Sequence, residues 1–148
     1  MENIIGVSQD KLESLEQKLV NEKLKFLDEY CTFGCDKYDA DYLLKLNNFL
    51  FGDLYGPLCY RLSAYNSIIN SYMYTINEEG VGDKNLDVIF DRLQALWDLQ
   101  PFLVGNTRTF VAFIKIINEA YNLKLNIDPD CELYSGMNLL DIVDNKKK

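Results

Sequence analysis

The chain has 148 residues, 48% of them hydrophobic, with a formal net charge of −8 and a pI near 4.5. That length and hydrophobicity suit a single domain (residues 1–148) with a buried core and exclude a disordered chain. The acidity excludes general nucleic-acid binding, because a phosphate backbone would be repelled by most of this surface, and no uncharged apolar run is long enough for a membrane span.

In chain order, the first expected element is an amphipathic helix from about Gln9 to Tyr30, with Ser8 as N-cap and Leu12, Leu15, Leu19, Phe26 and Leu27 as its apolar stripe. Gly34 breaks the pattern. A second helix is expected from Asp39 to Phe51, burying Leu43, Leu46, Phe49 and Leu50, before Gly52 and Gly56-Pro57 punctuate the chain. Between Tyr60 and Thr75 the residues suit a helix or short strands, so the fold class is mainly α with at most a short β-hairpin around Ser63 to Thr75. A loop from Asn77 to Asp83 follows. Leu86, Ile89, Phe90, Leu93, Leu96 and Trp97 then predict a helix over Asn85 to Leu99, ended by Pro101. A helix over Thr107 to Leu123 is apolar on more than one face and is expected at the centre of the bundle, with a last short helix over Asn138 to Val143. Lys146-Lys147-Lys148 reads as a disordered basic tail.

The cysteines Cys31, Cys35, Cys59 and Cys131 form no recognisable framework, and the chain has no histidine. They read as reduced thiols rather than a zinc site, so no metal is expected. Asp128-Pro129-Asp130 reads as a turn rather than a calcium loop. The ten tyrosines read as core-edge packing rather than a binding face. No amino-terminal segment has the pattern of a signal peptide, so the expected location is the cytoplasm, with delivery into another cell as the alternative.

The segment most relevant to function is Gln100 to Thr109. Gly105-Asn106 precedes a helix, where asparagine is a favoured N-cap and glycine allows close backbone approach. The first-turn amides of Thr107 and Arg108 would then be free to meet an anion, which makes Gly105, Asn106, Thr107 and Arg108 the candidate ligand-binding residues. An ordinary loop-to-helix cap with nothing bound is the alternative.

The same stretch resembles the signature of the Fic family of nucleotidyl transferases: His-Pro-Phe, any residue, an acid, Gly-Asn, a variable residue, Arg, two more residues, Arg. Pro101, Phe102, Gly105, Asn106 and Arg108 match, while Gln100, Val104 and Val111 replace the histidine, the acid and the second arginine. Upstream, Leu50-Phe51-Gly52-Asp53-Leu54-Tyr55, followed by Arg61, is similar to the family's Leu-Phe-x-x-x-Tyr segment. Thr75 to Gly80 fits the family's inhibitory pattern, although an acidic turn ending at Gly80 is the plainer reading.

The resemblance implies a Fic-like helical bundle with a hairpin flap, and ATP or another nucleotide as ligand. It also implies which groups do the chemistry. The histidine is the family's general base, the acid holds magnesium and the second arginine neutralises the outer phosphates. Glutamine has no titratable group, valine offers magnesium no oxygen, and Val111 carries no charge. Loss of the base alone removes about 10²–10⁴-fold in rate. The expectation is a catalytically degenerate Fic-like protein with no catalytic residue and no conventional magnesium site. It would act by binding a phosphate-bearing ligand or a protein, as a regulator, decoy or inhibitor in a bacterial toxin–antitoxin or effector setting. One alternative is a transferase of the wider Fic, Doc and AvrB-like (Fido) superfamily with another base, for which Asp53, Asp98 and Glu119 are the nearest by sequence. The other is an acidic helical interaction protein with no ligand site.

Overall fold

The computed structural model describes residues 3–28, 30–127 and 138–142. Cys131, the Asp128-Pro129-Asp130 turn and the basic tail lie outside the described residues. Among those described, the elements are α1 (Gln9–Leu24), α2 (Ala40–Tyr55), α3 (Tyr65–Glu79), α4 (Leu86–Asp98), α5 (Asn106–Ala120) and a 3-10 helix, Leu139–Ile142. The fold is mainly α, a helical bundle.

α2 starts at an N-cap that its sequence supplies, Asp39, whose carboxylate accepts from the Tyr42 amide at 2.9 Å. It packs against α1, α3 and α5, and α4 packs against α3, α5 and the 3-10 helix. α5 is buried without interruption from Thr109 to Ile114 and again at Ile116 and Ile117, which places it at the centre as its all-round hydrophobicity predicts. α2 shares that central position.

Two sequence expectations need correction, and one that the sequence left open is decided. α1 stops at Leu24 rather than running to Tyr30. Lys25, Phe26 and Leu27 each donate to the carbonyl three residues back, a tightening that keeps Leu27 buried but turns Phe26 out to 71% exposure. Among the described residues there is no hairpin over Ser63 to Thr75. Ile69, Met73 and Ile76, spaced at four and three, make it a helical face, while Asn66, Ser67, Asn70 and Asn77 lie exposed. An isolated antiparallel bridge joins Tyr60 to Phe102. The expected loop from Asn77 starts later, since α3 continues through Glu79 and ends at Gly80, whose φ of +70° suits glycine.

Tyrosine hydroxyls tie the two ends of α2 to neighbouring segments. The Tyr42 hydroxyl donates to the Cys31 carbonyl, that of Tyr60 to the Ala40 carbonyl, and that of Tyr55 to Glu16 Oε2 at 2.5 Å. Burial pushes all three hydroxyls well above their ordinary range, with the Glu16 carboxylate adding to the effect at Tyr55. The fold thus favours the neutral phenols. Their contribution to stability is complete below the unfolded tyrosine value of about 10 and is lost as pH rises above it. A pH titration followed by both tyrosinate absorbance and circular dichroism should therefore show part of the absorbance rise coinciding with loss of helix. Full tyrosine ionisation with helicity retained would contradict this account.

Candidate functional site

The loop between α4 and α5 is held from within. Gln100 takes a left-handed backbone (φ +49°), and its side-chain Nε2 turns back to donate to the Trp97 carbonyl at 2.8 Å. Asn106 does not cap the helix forward as its type predicts. It is the first residue of α5, and its amide reaches backward, Oδ1 accepting from the Phe102 amide at 2.8 Å and Nδ2 donating to the Phe102 carbonyl at 3.0 Å. This two-point clasp closes the loop. The N-cap itself is Gly105, with φ +73° and ψ +29°.

Gly105 approaches an aromatic ring. A Cβ at this position would lie 2.1 Å from Phe51 Cε2, so the glycine lets the loop close onto the fully buried Phe51 of α2. The two segments singled out in the sequence therefore meet in space. Arg61 joins them again: its backbone N–H donates to the Pro101 carbonyl at 2.7 Å, and its Nη1 donates to the Gln100 carbonyl at 3.1 Å. The rings of Tyr60 and Phe102 stack at 5.0 Å between centroids.

The remaining polar side chains of the loop are engaged as well. Trp97 Nε1 donates to Thr107 Oγ1 at 3.0 Å, and Arg108 Nη1 donates to Asn21 Oδ1 of α1 at 2.5 Å. From α2, the buried Asn47 donates through Nδ2 to both the Val104 carbonyl and Thr109 Oγ1, each at 3.0 Å. Among the described residues, no group accepts from the backbone N–H of Thr107 or Arg108. No protein-family model, curated protein or solved structure matches the chain.

Arg108 also lines a cavity of about 210 Å³ with Glu13, Glu16, Gln17, Val20 and Phe51. α1 thus places two carboxylates beside the Arg108 guanidinium. An anion entering here would meet opposing fields, favourable from Arg108 and the helix terminus, unfavourable from Glu13 and Glu16. Val104 is half-buried, and Val111 is buried and lines a separate cavity with Leu24 and Lys115.

None of the alternative bases stands at the loop's cavity. Asp53 pairs with Lys23 at 2.7 Å, and Asp98 is exposed and accepts from Gln94 Nε2 at 3.0 Å. Glu119 sits at the far end of α5, about 20 Å along the helix axis from Asn106. No cluster of three or more Cys, Asp and Glu side chains suited to a metal occurs among the described residues. Cys31 and Cys35 share a cavity with Tyr38, Tyr42 and Tyr121. The Cys35 thiol bonds Asp41 Oδ2 at 3.5 Å, and burial followed by that bond pushes its pKa up, which disfavours the reactive thiolate.

Sequence reasoning missed Asn47, Asn21 and the two glutamates of α1. Asn47 left a signal, because it stands beside Leu46 and one turn from Leu43 and Leu50 on the apolar side of α2, where an uncompensated amide would be costly. Asn21, Glu13 and Glu16 left none, since each is an ordinary polar residue of an amphipathic helix.

Proposed function

We propose that this chain is a degenerate Fic-like domain that does not carry out nucleotidyl transfer and acts by binding a protein partner, as a regulator, decoy or inhibitor in a toxin–antitoxin or effector setting. One observation carries this reading: the loop's polar side chains serve the fold. Gln100 and Asn106 bond the loop's own backbone or that of α4, Thr107 accepts from Trp97, Arg108 donates to Asn21, and Thr109 accepts from Asn47. Arg108 keeps further N–H donors, and the cavity that it lines also holds Glu13 and Glu16. The juxtaposition of the two Fic-like segments through Phe51 and Gly105 supports the scaffold half of the proposal.

A second reading keeps a nucleotide or another phosphate ligand at Gly105, Asn106, Thr107 and Arg108, without a conventional magnesium site. In its favour are the unclaimed backbone N–H groups of Thr107 and Arg108. Glu13 and Glu16 stand against it. A transferase using another base has less support, because Asp53, Asp98 and Glu119 are placed elsewhere. The remaining reading is an acidic helical interaction protein whose motif match is inherited scaffold with no ligand site.

The first two readings separate in one experiment. A ligand at about 100 times its Kd stabilises the folded state by about 2.7 kcal/mol. ATP, with or without magnesium, is expected to leave the unfolding temperature unchanged, and ATP labelled at its α-phosphate is expected to leave no label on the protein or on lysate proteins. Magnesium-dependent labelling abolished by Gln100→Ala would overturn the proposal. A thermal shift without labelling would favour the nucleotide-binding reading. No helix among the described residues is long and apolar enough to cross a membrane.

A further inference from the structure

We propose that the groove between α3 and α4 docks a partner's peptide segment, and that Arg92 reads a single carboxylate on it. This deepens the protein-binding reading above by assigning the surface and the chemistry it recognises. The groove encloses about 640 Å³, larger than the cavity at the loop, and is lined by Asn70, Tyr72, Tyr74, Thr75, Glu79 and Arg92. Thr75 and Glu79 are the residues of the Thr75-to-Gly80 pattern that drew attention in the sequence, and here they flank a binding surface formed by two helices.

Arg92 is half-buried in α4, and its Nη1 donates to Thr75 Oγ1. A guanidinium carries five N–H donors in a planar fork, a geometry that matches a carboxylate. Among the described residues the ion pairs engage Lys23, Lys25 and Lys45, and none engages Arg92. Glu79 lies in the same groove yet forms no salt bridge with it. In a protein of net charge −8, a half-buried arginine with no carboxylate of its own among the described residues marks one place where an acidic group is welcome.

The aromatic side chains supply the rest of the site. Tyr74 is 63% exposed and Tyr72 38%, and Val88, 48% exposed, stands one turn before Arg92 on the same face of α4. Exposed tyrosines around an arginine are the residue types that carry energy at protein interfaces, because their rings bury much area with few torsions to freeze. Glu79 sets the selectivity. It repels a run of acids or a dianion, so the favoured segment places one carboxylate against Arg92 and an apolar side chain against the tyrosines.

A display library of random unmodified peptides selected on the full chain tests this. The expected outcome is enrichment of peptides with one Asp or Glu adjacent to an apolar residue. Their affinity should fall about tenfold or more in both Arg92→Ala and Tyr74→Ala and stay unchanged in Lys18→Ala. Since Arg92 also bonds Thr75, circular dichroism would confirm that Arg92→Ala is folded, and the exposed Tyr74 provides a test that does not disturb that bond. Failure to enrich any peptide, or peptides that bind Arg92→Ala and Tyr74→Ala as tightly as the parent, would overturn the assignment. The latter result would leave the protein-binding function standing at another surface, whereas magnesium-dependent labelling by ATP would remove that function itself.

Discussion

Gly105→Ala is expected to destabilise the protein by about 3 kcal/mol, from two separate sources. A non-glycine residue in the left-handed region loses about 1–2 kcal/mol, and Gly105 sits there at φ +73°. The new Cβ would also lie 2.1 Å from Cε2, 2.5 Å from Cζ and 2.6 Å from Cδ2 of Phe51, a ring fully enclosed in the core. Relieving such an overlap by moving packed groups adds about 1–3 kcal/mol. Thermal unfolding should move down by about 10 °C, given about 2–4 °C per kcal/mol for a domain of this size.

The two sources can be told apart by repeating Gly105→Ala in a Phe51→Leu background, where the smaller side chain leaves room for the methyl group. There the added loss should shrink to the backbone part, about 1–2 kcal/mol. Were Gly105→Ala within about 0.5 kcal/mol of the parent, the contact with Phe51 would not be what requires glycine. The experiment also bears on function. A glycine kept for close approach of a phosphate would be tolerant of alanine in the absence of ligand, apart from its dihedral angle, whereas a glycine kept for Phe51 would not.

Asn47→Ala should lower stability by about 2–4 kcal/mol. Its amide donates to the Val104 carbonyl and to Thr109 Oγ1, both at 3.0 Å, from a position with no solvent exposure. Each buried polar group left without a partner loses about 1–3 kcal/mol. The Thr109 hydroxyl has an escape, because a threonine inside a helix can turn to a carbonyl of the preceding turn, so the Val104 carbonyl should account for more of the loss. Asn47 Oδ1 has no partner among the described residues, which fits an amide held in place by the two acceptors facing its nitrogen.

Asn47→Asp sharpens the test. It sets a carboxylate oxygen against the Val104 carbonyl in a dry site, which raises the folded-state pKa of the new acid, so this variant should recover stability as pH falls and the carboxyl group protonates. Hydrogen exchange at the amides of residues 103–108 would report the loosened loop in both variants. An Asn47→Ala protein with parental unfolding temperature and unchanged exchange would show that α2 does not clamp the loop.

Much of the framework was legible in the residue pattern. The stripe Ile89, Phe90, Leu93, Leu96 and Trp97 determined α4 and its buried face, and the many apolar positions of α5 determined that it would be enclosed. The ends and orientations were less legible. Phe26 has the right spacing for the apolar stripe of α1, yet a tightened turn after Leu24 turns it outward. Tyr60 to Thr75 is rich in residues that suit strands, and it becomes a helix over Tyr65–Glu79 because α2 and α4 offer partners for Ile69, Met73 and Ile76.

At the candidate site, the sequence by itself determined which chemical groups are present: no imidazole, a glutamine at Gln100, valines at Val104 and Val111, and a Gly-Asn step into a helix. Only the tertiary structure decided what those groups do. Asn106 clasps Phe102, Arg108 reaches Asn21, and Gly105 makes room for Phe51, a residue far away in the chain. The physical reason is that helical periodicity is a local property, set by which side chains share a face. Hydrogen-bond partners are chosen by how the helices dock: α1 brings Asn21, Glu13 and Glu16 to the loop from positions whose local pattern carries no mark of that meeting, and Asn47 of α2 is marked only as an amide on an apolar face.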